Sequence, residues 1–267
     1  HRGGRLMQMR LMRILGRALT LSLQRELAHR TNLTISLVLM IIDLAASVAA
    51  LGLVFTQTGR LAGWGPYEAL ALLGAFQLVT GLLNTFVEPN LSFFAMKVTE
   101  GQLDDLLLQP MPSLLMASLG TCRPLSLPRT LLGALLIGVA AAGGAGVTPG
   151  GVAGALALLA AGAVITWATR VLIATLAFWA PGFDPTILYS ACWQLGRYPL
   201  GIYHPAVRHL LTYVVPVAFI AAFPAEVLLR GGSWNLVLLG LAVASGSALV
   251  AAAAWGTGVR RYTGATS

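Results

Sequence analysis

Apolar residues in this chain come in long unbroken runs, separated by short polar or glycine-rich breaks. A helix needs such a run of about 18 or more residues to cross roughly 30 Å of hydrocarbon. By that pattern Leu33–Phe55 is a first span. The stretch 56–66 follows it as a turn, with Gly59, Gly63, Gly65 and Pro66, and with Trp64 and Tyr67 at interface depth. Tyr67–Phe86 returns, and Glu88-Pro89 ends it because proline cannot continue a helix. Leu125–Ala142 crosses again, Gly143–Gly151 turns tightly, Val152–Trp179 comes back, and Leu236–Trp255 is a last span.

Two layouts fit the stretch before that last span. In one, Asp184–Ile202 crosses and His204–Arg230 forms a pair of short helices dipping back into the outer leaflet. In the other, Pro181–Val207 is a cytoplasmic loop and Val207–Phe223 crosses, closed by Pro224. Pro216 disfavours an uninterrupted span over Val207–Phe223 without forbidding it, which favours the first layout.

Charge then fixes an orientation. The 267 residues are 57 % hydrophobic and 10 % charged, far from the roughly 25 % charge of a soluble domain. The net charge of +8 does not indicate nucleic acid, because it sits at the ends. Arg2, Arg5, Arg10, Arg13, Arg17, Arg25 and Arg30 precede the first span, and Arg260 and Arg261 follow the last. That positive-inside bias places both termini in the cytoplasm, hence an even number of spans in a multi-pass plasma (inner) membrane protein. Met9–Arg30 alternates Leu11, Ile14, Leu15, Ala18 and Leu21 with arginines, and is expected to lie in the interface as an amphipathic helix. Residues 1–8 look like a tag or processing remnant. The fold expected is all-α: six transmembrane helices in a single domain over 9–261, with a short cytoplasmic tail over 262–267.

Conventional chemistry is missing. There is no G-x-x-x-x-G-K-[ST] loop for nucleotide phosphates, no H-E-x-x-H and no G-x-S-x-G. Cys122 and Cys192 have neither metal nor redox spacing, and the triplets at Asn32 and Asn90 read as chance matches to a glycosylation site. Catalysis by this chain alone is not expected. Asp43 and Arg170 fall at similar depths, roughly 13–15 Å from the inner ends of their spans by helical rise, which allows either an Asp43–Arg170 pair, within the chain or across a dimer, or a water-lined or substrate-facing role for either group. Glu88 and Arg197 sit where they can snorkel. Gly150 and Gly154 match a small-residue packing pattern that is common in so alanine-rich a chain.

One polar island interrupts the pattern: Lys97–Pro112, K-V-T-E-G-Q-L-D-D-L-L-L-Q-P-M-P. It holds the only lysine and three of the nine carboxylates. Thr99 with Gln102 fits a capping box, Asp104 and Asp105 suit the first turns, Leu103, Leu106 and Leu107 share a face, and Pro110 and Pro112 stop the helix. A helix of about two turns is too short to be stable alone in water and must dock on something, either its own bundle or a partner.

At this point the chain resembles the permease subunits of ABC-2-type exporters, the six-span kind that works beside a separate ATP-binding subunit. The resemblance rests on Gly101-x-Leu103-Asp104-x-x-Leu107-x-x-Pro110 between spans two and three. It rests also on Tyr198-Pro199-Leu200, Pro205, Pro216-x-Ala-Phe219, Pro224 and Arg230 before the last span. It implies that the segment around Thr99–Gln109 is a coupling helix seated in a cleft of the ATPase, and that Tyr198 to Arg230 is re-entrant on the outer side. It implies partners too: ATP-binding cassette subunits carrying the ATP and Mg, and a second permease, identical or homologous. No cofactor is expected in this chain itself. The expected function is export of an amphipathic or lipidic substrate driven by ATP hydrolysis in the partner. The alternatives are a partner-independent channel or ion-coupled carrier, and a membrane anchor without transport; the absence of an evident inverted repeat speaks against the carrier.

Overall fold

A computed structural model describes residues 30–108, 112–144, 146–180, 186–214, 217–231 and 234–266. The amphipathic arm Met9–Arg30 therefore lies outside the described residues except for Arg30, as do Pro110 and Pro216. The described residues are helical nearly throughout: α1 (Arg30–Gln57), α2 (Pro66–Phe86), α3 (Glu88–Leu91), α4 (Phe94–Thr99), α5 (Leu103–Leu107), α6 (Ser113–Leu119), α7 (Leu127–Gly143), α8 (Pro149–Thr175), α9 (Thr186–Gln194), α10 (Pro205–His209), α11 (Ala222–Arg230) and α12 (Trp234–Thr266). Short 3-10 turns extend α7 backwards from Pro124 and α8 forwards to Phe178.

Among the described residues, five helices are long and apolar enough to cross a membrane: Thr34–Gln57, Pro66–Phe86, Pro124–Gly143, Pro149–Phe178 and Trp234–Tyr262. They match the five unambiguous apolar runs. A further pair, Pro205–Thr212 and Val217–Arg230, is bent by 67°. The last helix runs on through Thr266, so 262–266 continues it rather than forming a separate tail.

Span α2 is the axis of the bundle. Its most apolar window is 72 % buried, against 11 % for α1 and for Pro124–Gly143, whose apolar side chains face outward. Small residues let α7 come close: a Cβ on Gly133 would lie 2.4 Å from the Leu78 backbone nitrogen, and one on Gly81 would lie 2.5 Å from that of Thr130. This is close small-residue packing; of the Gly150 and Gly154 pattern, Gly154 packs closely on Val227 and Val237, while a side chain at Gly150 would meet nothing. Two hydroxyls inside the spans donate to carbonyls one turn back, Thr85 to Gly81 (2.7 Å) and Thr166 to Gly162 (2.7 Å), and so need no water.

The bundle has two ends. One carries the island. The other, the far end, carries the turns before α2 and before α8. There Thr148 caps α8 by accepting from the Gly151 N–H (3.0 Å), with Pro149 at the first helical position. Arg230, in the last turn of α11, grips Glu68 at the start of α2 with Nε and Nη2, both at 2.7 Å, donates to the Gly63 carbonyl, and lies 5.0 Å over the Trp64 ring. The segment from α9 onward connects the two ends: Thr186 lines a cavity beside Ser92 and Thr121 at the island end, while a Cβ on Gly201 would meet that of Ala62 at the far end. Pro224 opens this region's last helix instead of closing a span. It lies in the first turn of α11, where the missing N–H costs nothing.

Candidate functional site

The island folds differently from its capping pattern. Thr99 ends α4 instead of starting a helix, its hydroxyl donating to the Met96 carbonyl (2.9 Å), and Gln102 bonds Glu100 (2.7 Å) instead of closing a box. The cause is Gly101, held at φ +73. With Gln102 N–H donating to the Lys97 carbonyl (3.0 Å) and Gly101 N–H to that of Val98 (3.4 Å), the chain makes a Schellman turn, which needs a left-handed residue that glycine supplies without strain. Helix α5 begins afresh at Leu103 and has five residues.

The leucine face of α5 is already occupied. Leu103 is 1 % exposed, and Leu106 and Leu107 pack against the same core. Asp104 is exposed and interacts with Tyr262 of α12, while Leu108 stands 83 % exposed at the end of the helix. The helix therefore docks on its own bundle by its leucines. What it offers outward is a rim of Thr99, Glu100, Gln102, Asp104 and Leu108.

That docking reaches two spans. Phe94 of α4 lies 5.6 Å from the Phe178 ring and 5.2 Å from that of Trp255, and those two rings are 5.7 Å apart. Such tilted and edge-on pairs add to the burial of three large rings. The Trp255 indole also donates to the Ser113 hydroxyl (3.1 Å), tying α6 to α12. Asn90, whose triplet looked accidental, is a buried staple. Its amide donates to the Phe86 and Thr121 carbonyls, both at 2.8 Å, and its carbonyl accepts from Thr121 N–H (2.8 Å). Its sequence context carried no signal for this.

The ions inside the spans pair in another way than depth predicted. Asp43 does not take Arg170. Arg197 grips it with both terminal nitrogens (2.8 and 3.2 Å), and Arg129 reaches it at 3.3 Å. Arg170, only 5 % exposed, pairs with Glu88 and lies 5.1 Å over the Tyr189 ring. Depth gives no azimuth: α1 lies along α2 and the turn before α7, which brings Asp43 to α7 rather than to α8. Arg197 and Glu88 do not snorkel, because a long side chain near an unpaired deep ion gains more by reaching it than by reaching water. Arg129 was visible as a charge inside a predicted span, but its role was missed.

Between these pairs lies open space. An outer cavity of about 740 Å³ at the island end is lined by Asn84, Glu88, Ser92, Thr121, Arg170 and Ser190, among others. A smaller one of about 140 Å³ lies deeper, where Arg129, Thr166, Tyr189 and Trp193 join Asn84, Glu88, Arg170 and Ser190. The shared residues make the two cavities adjoining chambers.

Of the residues expected to be re-entrant, Tyr198 is half-buried against the cluster of Leu51, Ala69 and Leu73. Pro199 is buried and opens a 3-10 turn, Pro205 starts α10, and Arg230 forms the far-end latch. Thus Gly201 and Arg230 lie at the far end, Val217 and Phe219 pack deeper against Gly196 and Gly162, and Thr99 to Leu107 lies at the island end.

No curated protein and no solved structure matches the chain. A family model described as ABC-2 family transporter protein matches residues 41–266, which take in most of the first described span, all of the others and both of these regions. With an all-helical bundle, several membrane-crossing helices and that match, the chain belongs to the ABC-2 transporter family, as the membrane permease part of an ABC transporter.

Proposed function

We propose that this chain is the permease of an exporter that crosses the membrane six times, with both ends in the cytoplasm, and that a separate ATP-binding subunit drives it through the island. The sixth crossing is Thr186–Ile202, which begins as α9 and continues through two 3-10 turns, leaving the bent pair Pro205–Arg230 re-entrant at the outer face. A second permease, identical or homologous, completes the pathway. The cargo is an amphipathic or lipidic molecule. The ATPase holds the ATP and Mg; the permease contributes a lever.

The observation that carries this is the island's division of labour. Its apolar side is fixed to α8 and α12 through Phe94, Phe178 and Trp255, so a push on the island is passed to two spans at once. Its polar rim, ending in Leu108, is open to a partner. Glu100 and Asp104 on that rim suit a cleft with basic character. The docking face is then the rim and Leu108, not the leucines of α5.

The test is co-purification of an ATP-binding subunit in gentle detergent, with vanadate-sensitive ATP hydrolysis. Leu108→Asp combined with Glu100→Lys is expected to abolish both with little change in thermal unfolding, because both side chains are exposed and, among the described residues, the Glu100 carboxylate bonds only its neighbour Gln102. The original pattern would instead assign docking to Leu107; a Leu107→Ala change is expected to cost stability first. Recovery of a stable, transport-competent chain with no nucleotide-binding partner would favour a channel or carrier and overturn the proposal.

A further inference from the structure

Arg129 and Arg170, inside described spans, and Arg197, on the 3-10 turn after α9, stand against two carboxylates: Arg129 and Arg197 share Asp43, and Arg170 holds Glu88. Among these described groups one positive charge is left over. An ion at such depth is costly, and those retained there tend to have a functional reason.

The surplus has a location. Arg197 makes the bidentate contact with Asp43, adds the Ser47 hydroxyl at 3.3 Å, and lies 5.7 Å from the Phe76 ring centre. Arg129 is held loosely: one nitrogen is 3.3 Å from Asp43 and the other 3.4 Å from the Gln77 carbonyl oxygen. It is Arg129, with Arg170, that lines the inner chamber, against the single carboxylate of Glu88. Arg170 is deeply buried, and its Nε has no hydrogen-bond partner among the described residues. The inner chamber thus joins a weakly satisfied cation, an unused guanidinium donor and the side-chain amide of Asn84. Guanidinium forks favour oxyanions such as phosphate. The outer chamber, at about 740 Å³, lies within the range of small-molecule sites and opens at the island end.

We propose that the inner chamber seats the phosphate-class headgroup of an anionic amphiphile between Arg129 and Arg170, and that the outer chamber is its way in. Calling that occupant cargo rests on the permease reading above; the anion seat itself does not.

The test uses the full chain in phosphatidylcholine nanodiscs with graded phosphatidylglycerol and no ATP, the retained lipid being measured by native mass spectrometry. The wild-type chain is expected to retain phosphatidylglycerol in preference to phosphatidylcholine. Arg129→Gln leaves Asp43–Arg197 and Glu88–Arg170 as two balanced pairs. It is expected to unfold at the wild-type temperature in pure phosphatidylcholine, while losing about tenfold in anionic lipid retention, as removal of one charge-assisted contact predicts. Glu88→Gln raises the surplus and is expected to act in the opposite direction, which general damage to the fold does not do. Equal retention of both lipids by the wild type overturns the proposal, as does unchanged retention in Arg129→Gln or weakened retention in Glu88→Gln. Glycerol phosphate forms the second arm. Stabilisation of the wild type, but not of Arg129→Gln, by glycerol phosphate alone assigns a soluble phosphate ester to the seat; stabilisation by phosphatidylglycerol alone assigns the lipid. Because no ATP is used, failure here leaves the ATPase partnership standing, and failure of co-purification leaves the seat standing.

Discussion

At the island end the segments are held by aromatic rings and buried leucines around an open cavity of about 740 Å³. At the far end they are held by close backbone approach and one charged latch, and a cavity there, between Thr148 and Trp234, holds only about 130 Å³. The two kinds of contact respond differently to force and to solvent. Apolar ring contacts are non-directional and insensitive to salt, so they carry a load as a body moves. A partly exposed ion pair is screened and can break and re-form at small cost. The bundle is therefore more open on the island side, and the join that salt and solvent can weaken is on the other.

The strongest challenge to that contrast is Phe94→Ala. Phe94 is 2 % exposed and touches both Phe178 and Trp255. Truncating a core aromatic costs about 3–5 kcal/mol, so a large drop in the thermal unfolding temperature in detergent is expected. In surviving protein bound to an ATPase, hydrolysis is expected to continue while transport falls, since the rim is intact and its connection to the spans is not. A loss below about 1 kcal/mol, at the level of an exposed ion pair, would show that the rings do not hold this end together.

The far-end latch is expected to behave in the opposite manner. Arg230→Gln removes both bonds to Glu68, yet Arg230 is more than a third exposed, so the cost should stay under about 1 kcal/mol. The effect belongs in access. Leu229 is buried beside Gly144, and a cysteine at Leu229 is expected to label slowly in the otherwise native chain and faster when Arg230→Gln is added. High salt should reproduce part of that increase without any substitution. Equal labelling rates would mean that backbone packing, not the ion pair, keeps the far end shut.

How much of this was legible beforehand follows from what one-dimensional patterns encode. The clear spans were readable because their apolar runs match the hydrocarbon thickness, and the proline-rich stretch before the last one correctly signalled a break. Helical rise gave the depths of Asp43 and Arg170 but not their partners, because rise says nothing of which face of which neighbour a side chain meets. Arg129 is a charge within a predicted span, but nothing in the apolar pattern tells that it shares Asp43 with Arg197. The island's capping box failed at Gly101, whose left-handed turn ended one helix where a continuous one was expected. The same turn is what places Leu103 inward and Leu108 outward. No period in the sequence marks that.

The smallest effect sharpens the comparison without disturbing the fold. Cys122 lies at the island end beside the outer chamber, 5 % exposed, while Cys192 on α9 is half-buried. Burial pushes the Cys122 thiol above its ordinary value, so less of it is thiolate at neutral pH and its alkylation should be slow. The sign follows directly: raising the pH increases the thiolate fraction, and the rate at Cys122 should still be climbing where an unperturbed thiol, with a pKa of about 8.5, has levelled off. Maleimide labelling followed by mass spectrometry separates the two sites. If ATP binding by a partner closes the island end, Cys122 should label more slowly still with nucleotide present, and a cysteine at Leu229 faster. The paired change matters more than either rate, because a bundle that merely loosened would speed labelling at both ends.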